Sequence, residues 1–189
     1  MRLVRPVASI GARMTESAPG SRMREPGQSP AAGNEKFMRS AIEAATRGLL
    51  AGEPPIGACL VKDGEIIVRT SNAVIGELDI TAHAEMRVIR QACRHLRALR
   101  LSGCRLFVTV EPCPMCMSAC YYADIPEVVY GARLADLHAL TRAELRTSGA
   151  REFSAMFADH ATVHVTGDCL RNECRSLLEQ WAGRYAKAP

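Results

Sequence analysis

The chain has 189 residues, 48% of them hydrophobic and 23% charged, with a net charge of +4. This suits one globular domain able to bury a full core, and no apolar run is long enough to span a membrane. Most of the positive excess lies in residues 1–33, where Arg2, Arg5, Arg13, Arg22 and Arg24 face only Glu16 and Glu25. Residues 34–189 are therefore nearly neutral, which argues against an extended phosphate-binding surface. Eight cysteines in a chain of this length, with no secretory signal at its start, point to a reducing, cytoplasmic setting rather than a disulfide framework.

Residues 1–33, rich in Arg, Ser, Pro, Gly and Ala without apolar periodicity, read as a disordered and dispensable leader, with an organellar targeting segment as the alternative. The domain is expected over 34–189. Phe37, Ala41, Ala45 and Leu49 recur every four residues and predict a helix from a cap at Asn34 to about Leu50, ended by Gly52-Glu53-Pro54-Pro55. Ile56 to Val61 and Glu65 to Arg69 form a hairpin across Lys62-Asp63-Gly64. A polar loop containing Asn72 follows, then a helix from about Ala82 to Leu96 capped by Thr81 or Asp79.

Arg105 to Val110 reads as a strand, Pro114 to Ala123 as a helix with proline in its first turn, and Glu127 to Tyr130 as a strand. Strand, helix and strand in succession predict parallel pairing. A short helix lies within Leu134 to Thr147, in an otherwise irregular lid segment. Thr162 to Val165 supplies a fifth strand, and Leu170 to Tyr185 a closing helix with Leu170, Cys174, Leu177, Leu178 and Trp181 on one face.

Two segments carry the chemistry, Thr81-Ala82-His83-Ala84-Glu85 and Glu111-Pro112-Cys113-Pro114-Met115-Cys116. Two cysteines three positions apart at a helix start can turn both sulfurs to one ion, and His83 supplies the third ligand of an open tetrahedral Zn2+ site. Glu85 is placed to move protons on a water at the fourth position, acting first as base and then as acid. Backbone N–H groups at the two helix starts favour thiolate charge, and the Ala84 amide is expected to meet a ring carbonyl of the substrate. A purely structural site would need a fourth protein ligand, for which Cys120 is the nearby candidate. His138, His160 and His164 read as surface or packing residues.

The pattern H-x-E…P-C-x-x-C is the signature of zinc-dependent nucleobase deaminases, and the chain is similar to the cytidine deaminase superfamily from about Asn34 to Tyr185. Glu53-Pro54-Pro55-Ile56-Gly57-Ala58 resembles tRNA adenosine deaminases and fungal cytosine deaminases. The Glu111 to Cys116 segment with Ser118-Ala119-Cys120-Tyr121-Tyr122-Ala123 resembles guanine deaminases and bacterial nucleoside deaminases. The resemblance implies a three-layer α/β/α fold around a five-stranded mixed sheet, usually a homodimer. It also implies base binding by Asn72, eleven residues before His83, and purine-edge recognition by Glu144, with Tyr185 as a possible pocket-closing aromatic.

The expected function is hydrolytic deamination of a small aminated base or nucleoside, guanine-like first. Adenosine-to-inosine conversion in tRNA is the alternative, set behind because Arg133-Leu134-Ala135-Asp136-Leu137-His138 replaces the Lys-Thr-Gly-Ala-rich segment of tRNA enzymes. A cytosine or cytidine deaminase and a catalytically inactive zinc scaffold are the further alternatives; intact Glu85 argues against the last.

Overall fold

The computed structural model describes residues 30–141 and 163–185. Its helices and strands run α1 (Pro30–Leu50), β1 (Gly57–Lys62), β2 (Glu65–Ser71), α2 (Ala84–Leu96), β3 (Cys104–Val110), α3 (Pro114–Tyr122), β4 (Glu127–Ala132), α4 (Leu134–Thr141), β5 (His164–Thr166) and α5 (Arg171–Tyr185). The strand order is β2-β1-β3-β4-β5. β1 is antiparallel to both β2 and β3, whereas β3, β4 and β5 are mutually parallel neighbours.

Alternation along the strands divides the core into two layers. Ala58, Leu60, Leu106, Val108 and Val128 pack with Val88 and Ala92 of α2 and Met117 and Cys120 of α3. Cys59, Val61, Phe107 and Val129 face Phe37, Met38 and Ala41 of α1 and Cys174 and Leu178 of α5. The result is the expected α/β/α arrangement with a five-stranded mixed sheet.

Local chemistry explains the positions of these elements. The β1–β2 hairpin turns at Asp63 (φ 51) and Gly64 (φ 81), the two left-handed residues of the tight turn that Asp-Gly favours. Gly57 is needed because the α1 backbone crosses β1 there. A Cβ at that position would lie 2.2 Å from the Ala41 carbonyl oxygen and 2.4 Å from the Ala45 nitrogen.

Several boundaries differ from expectation. α1 begins at Pro30, where a missing N–H costs nothing in a first helical turn. Asn34 lies inside that helix and its Oδ1 accepts from Arg105 Nη2 at 2.7 Å, instead of capping the start. α2 begins at Ala84 with His83 as its N-cap, two residues later than expected. Asp79 Oδ1 instead accepts from the Thr81 N–H and hydroxyl at 2.8 and 2.7 Å, closing the preceding turn. β5 begins at His164, and Thr162 lies outside the described residues. No helix among the described residues is long and apolar enough to cross a membrane.

Candidate metal centre and active site

The N-terminal ends of α2 and α3 meet. Their N-cap residues, His83 (φ −65, ψ 152) and Cys113 (φ −73, ψ 168), have extended backbones and make no side-chain cap bond to their own helices. Both side chains are instead directed at one another. Cys116, in the first turn of α3, points back toward the cap, as helix side chains do.

The three donor atoms form a triangle with edges of 3.8 Å (Cys113 Sγ to His83 Nδ1), 3.5 Å (Cys116 Sγ to His83 Nδ1) and 3.7 Å (Cys113 Sγ to Cys116 Sγ). Zinc bonds of ~2.3 Å to sulfur and ~2.0–2.1 Å to nitrogen, at tetrahedral angles, give edges of about 3.6 Å for N to S and about 3.8 Å for S to S. The residues thus fit Zn2+ with one ligand position left over. Among the described residues the donor group is His83, Cys113 and Cys116 alone. Cys120, which a closed four-ligand site would need, lies outside it, and burial pushes its thiol up.

The electrostatics match a site built for a cation. The two sulfurs share a proton: Cys113, accepting from Cys116, is held down to about 4, and Cys116 is pushed up by the same interaction and by burial. The hydrogen bond to Cys113 raises His83. Glu85, in the first turn of α2, is 3% exposed, and its Oε2 has no hydrogen-bond partner among the described residues. Burial pushes its carboxyl up to about 7, opposed by a backbone hydrogen bond and the His83 ring.

A cavity of about 290 Å³ includes His83, Glu85 and Cys113 in its wall. Ile56, Val110 and Met115 contribute apolar surface, and α4 contributes Leu134, Leu137 and His138. This is close to the small end of ligand pockets, roughly 300–1,000 Å³.

Asn72 is buried, and its Oδ1 accepts from the Ala84 N–H at 2.7 Å. The amide expected to face a ring carbonyl is therefore engaged by the residue expected to bind the base. Glu144 and His160 lie outside the described residues, as does the Tyr185 side chain. His164 is exposed on β5.

Three contributors were not legible as such in the sequence. Glu53, read as part of a helix stop, is 6% exposed and accepts from the Ile75 and Gly76 N–H groups at 3.0 and 2.7 Å, pinning the loop that follows Asn72. Glu111, beside the cysteine motif, accepts from the Leu134 N–H at 3.1 Å and so ties the start of α4 to the end of β3. His138 lines the cavity rather than the outer surface alone. Only Glu111 carried a local signal, its adjacency to Pro112-Cys113.

Helix starts that gather an imidazole and two thiols at zinc-fitting separations, beside a buried carboxylate, put the molecule in the class of zinc-binding deaminase folds. The comparisons with known proteins agree: residues 32–132 match the family described as cytidine and deoxycytidylate deaminase zinc-binding region, and the chain belongs to that family.

The tRNA-specific adenosine deaminase of Aquifex aeolicus is 46% identical over 100 residues, covering 53% of this chain and 66% of the relative, just under two thirds of its length. Guanine deaminase of Bacillus subtilis is 44% identical over 104 residues, covering 54% of this chain and 67% of that protein. A solved tRNA:A34 deaminase, studied for A-to-I editing at the wobble position, superposes with a TM-score of 0.65 at 36% identity. It covers 75% of this chain and 98% of its own.

Proposed function

We propose that the chain is a hydrolytic deaminase that converts adenosine to inosine in tRNA. The observation that carries deamination is the buried Glu85 carboxylate, with one oxygen lacking a protein partner, beside three zinc-fitting donors. The substrate reading is supported by the tRNA-acting relatives, one matched along nearly its whole chain. It reverses the order expected from the sequence, where a free guanine-like base came first. A small cavity suits either substrate, because a base in a single-stranded loop can enter alone.

His83, Cys113 and Cys116 hold the ion. When bound, zinc supplies Lewis-acid activation of water near neutral pH. Glu85 takes a proton from that water and delivers it to the ring nitrogen. It then helps the exocyclic amine leave as ammonia, so that a C–NH2 carbon becomes a carbonyl. Burial suits this role, since a carboxyl poised near neutrality can both accept and return a proton. Asn72, its carboxamide oriented by the Ala84 N–H, presents its NH2 to the base. The proposal includes the homodimeric assembly that the family resemblance implies, and keeps residues 1–33 as a dispensable leader.

Guanine deamination is the second reading, favoured by the near-neutral charge of residues 34–189 and by the Bacillus subtilis relative. The two are separated by giving zinc-loaded protein an anticodon RNA hairpin and free guanine, then scoring inosine and ammonia respectively. Inosine formation with negligible ammonia from guanine is expected; the reverse pattern would transfer the assignment to guanine.

A further inference from the structure

Among the described residues lining the cavity, the polar side chains are His83, Glu85, Cys113, Glu111 and His138. The first three belong to the metal and proton chemistry. The Glu111 carboxylate faces the backbone of Leu134. His138 is the remaining group, half-buried on α4 and four residues after Leu134. Leu134, Leu137 and His138 have the i, i+3, i+4 spacing of one helix face, so the imidazole stands on the same wall as two leucines. In a mostly apolar cavity, an isolated polar group is what orients a ligand and discriminates between ligands.

That wall is held in place from three directions. Glu111 ties the Leu134 N–H to the end of β3, next to the cysteine motif. In the first turn of α4, Asp136 Oδ2 accepts from the Arg133 N–H at 2.9 Å, reaching back across the helix start. The same carboxylate receives a two-pronged contact from Arg171 of α5, at 2.9 and 2.7 Å. A helix of eight residues has little stability of its own. Fastened to β3 and α5, it can present His138 in one position.

We propose that His138 is a specificity-determining residue, whose imidazole hydrogen-bonds a polar edge of the bound base and sets which base is preferred. The inference rests on the deaminase reading, and its test separates the two. Binding of the anticodon RNA hairpin and of guanine is titrated with zinc-loaded Glu85→Gln protein, with and without His138→Ala. In parallel, kcat/KM for both substrates is measured for wild type, His138→Ala and His138→Gln.

His138→Ala should weaken the preferred ligand about tenfold, as expected for one lost hydrogen bond in a desolvated site. It should change the other ligand less, act mainly on KM, and leave zinc content and Tm unaltered. His138→Gln, which keeps hydrogen-bonding atoms, should recover part of the loss. Turnover and binding that keep the wild-type preference within twofold in His138→Ala overturn this inference and leave the deaminase reading standing. Binding that depends on His138 without turnover in wild type overturns the activity and leaves the inference standing. Binding of neither ligand overturns both.

Discussion

Glu53 offers the sharpest test of how the fold holds the site. Its carboxylate is 6% exposed and receives two backbone N–H groups, from Ile75 at 3.0 Å and Gly76 at 2.7 Å. Those residues follow Asn72, whose own N–H donates to the Ile56 carbonyl at 2.9 Å and whose Oδ1 holds the start of α2. Charge-assisted hydrogen bonds contribute about 1.5–3 kcal/mol each. The loop is only partly buried, so water recovers some of this, and Glu53→Ala should cost a net ~2–3 kcal/mol. In a chain of this size that corresponds to a fall in Tm of roughly 5–10 °C. Glu53→Gln keeps one acceptor and should lose about half as much. Thermal unfolding of the zinc-loaded protein reads the stability, and kcat/KM reads the displacement of Asn72. If Glu53→Ala changed Tm by less than about 1 °C, as a surface substitution does, and left turnover intact, the claim that this carboxylate organises the loop would be refuted.

Glu85→Gln should retain zinc and fold while kcat falls by about 10²–10⁴ or more, since an amide cannot relay protons; turnover within tenfold of wild type would contradict its role. Gly57→Ala should destabilise by about 3 kcal/mol or more, because the new methyl meets backbone of α1 that cannot yield cheaply, and denaturant unfolding measures it. Asp136 is held below the usual carboxylate range first by the Arg171 guanidinium and also by the Arg133 N–H. A carboxyl with a lowered folded-state pKa contributes stability that is full above its unfolded value, near ~3.9, and is lost as pH falls through the folded value. Asp136→Asn should therefore lower Tm at pH 7, with the gap from wild type closing below about pH 4.

The parts of the fold that sequence made visible are those governed by short-range patterns. The four-residue rhythm of Phe37, Ala41, Ala45 and Leu49, the Asp63-Gly64 turn and the cysteine spacing at a helix start each state a local preference that the tertiary structure keeps. Helix starts were read less well for a physical reason. His83 looks like a poor cap, and Asp79 or Thr81 like good ones, because the cap position here is occupied by a residue whose side chain serves the ion cluster. Glu53 and His138 were missed because nothing within several residues marks them. A carboxylate in a helix stop and a histidine on a short helix look solvated until Ile75 and Gly76 fold over the first and the cavity opens beside the second.

The central claim is that His83, Cys113 and Cys116 hold a zinc on which deamination depends, and the most direct measurement is ammonia release titrated against bound zinc. Protein stripped by a chelator should carry no activity, and one equivalent of Zn2+ per chain should restore it fully; Cys113→Ser should neither hold the metal nor respond to its addition. Ammonia release that is indifferent to zinc content, or a Cys113→Ser protein that keeps both zinc and turnover, would contradict the account.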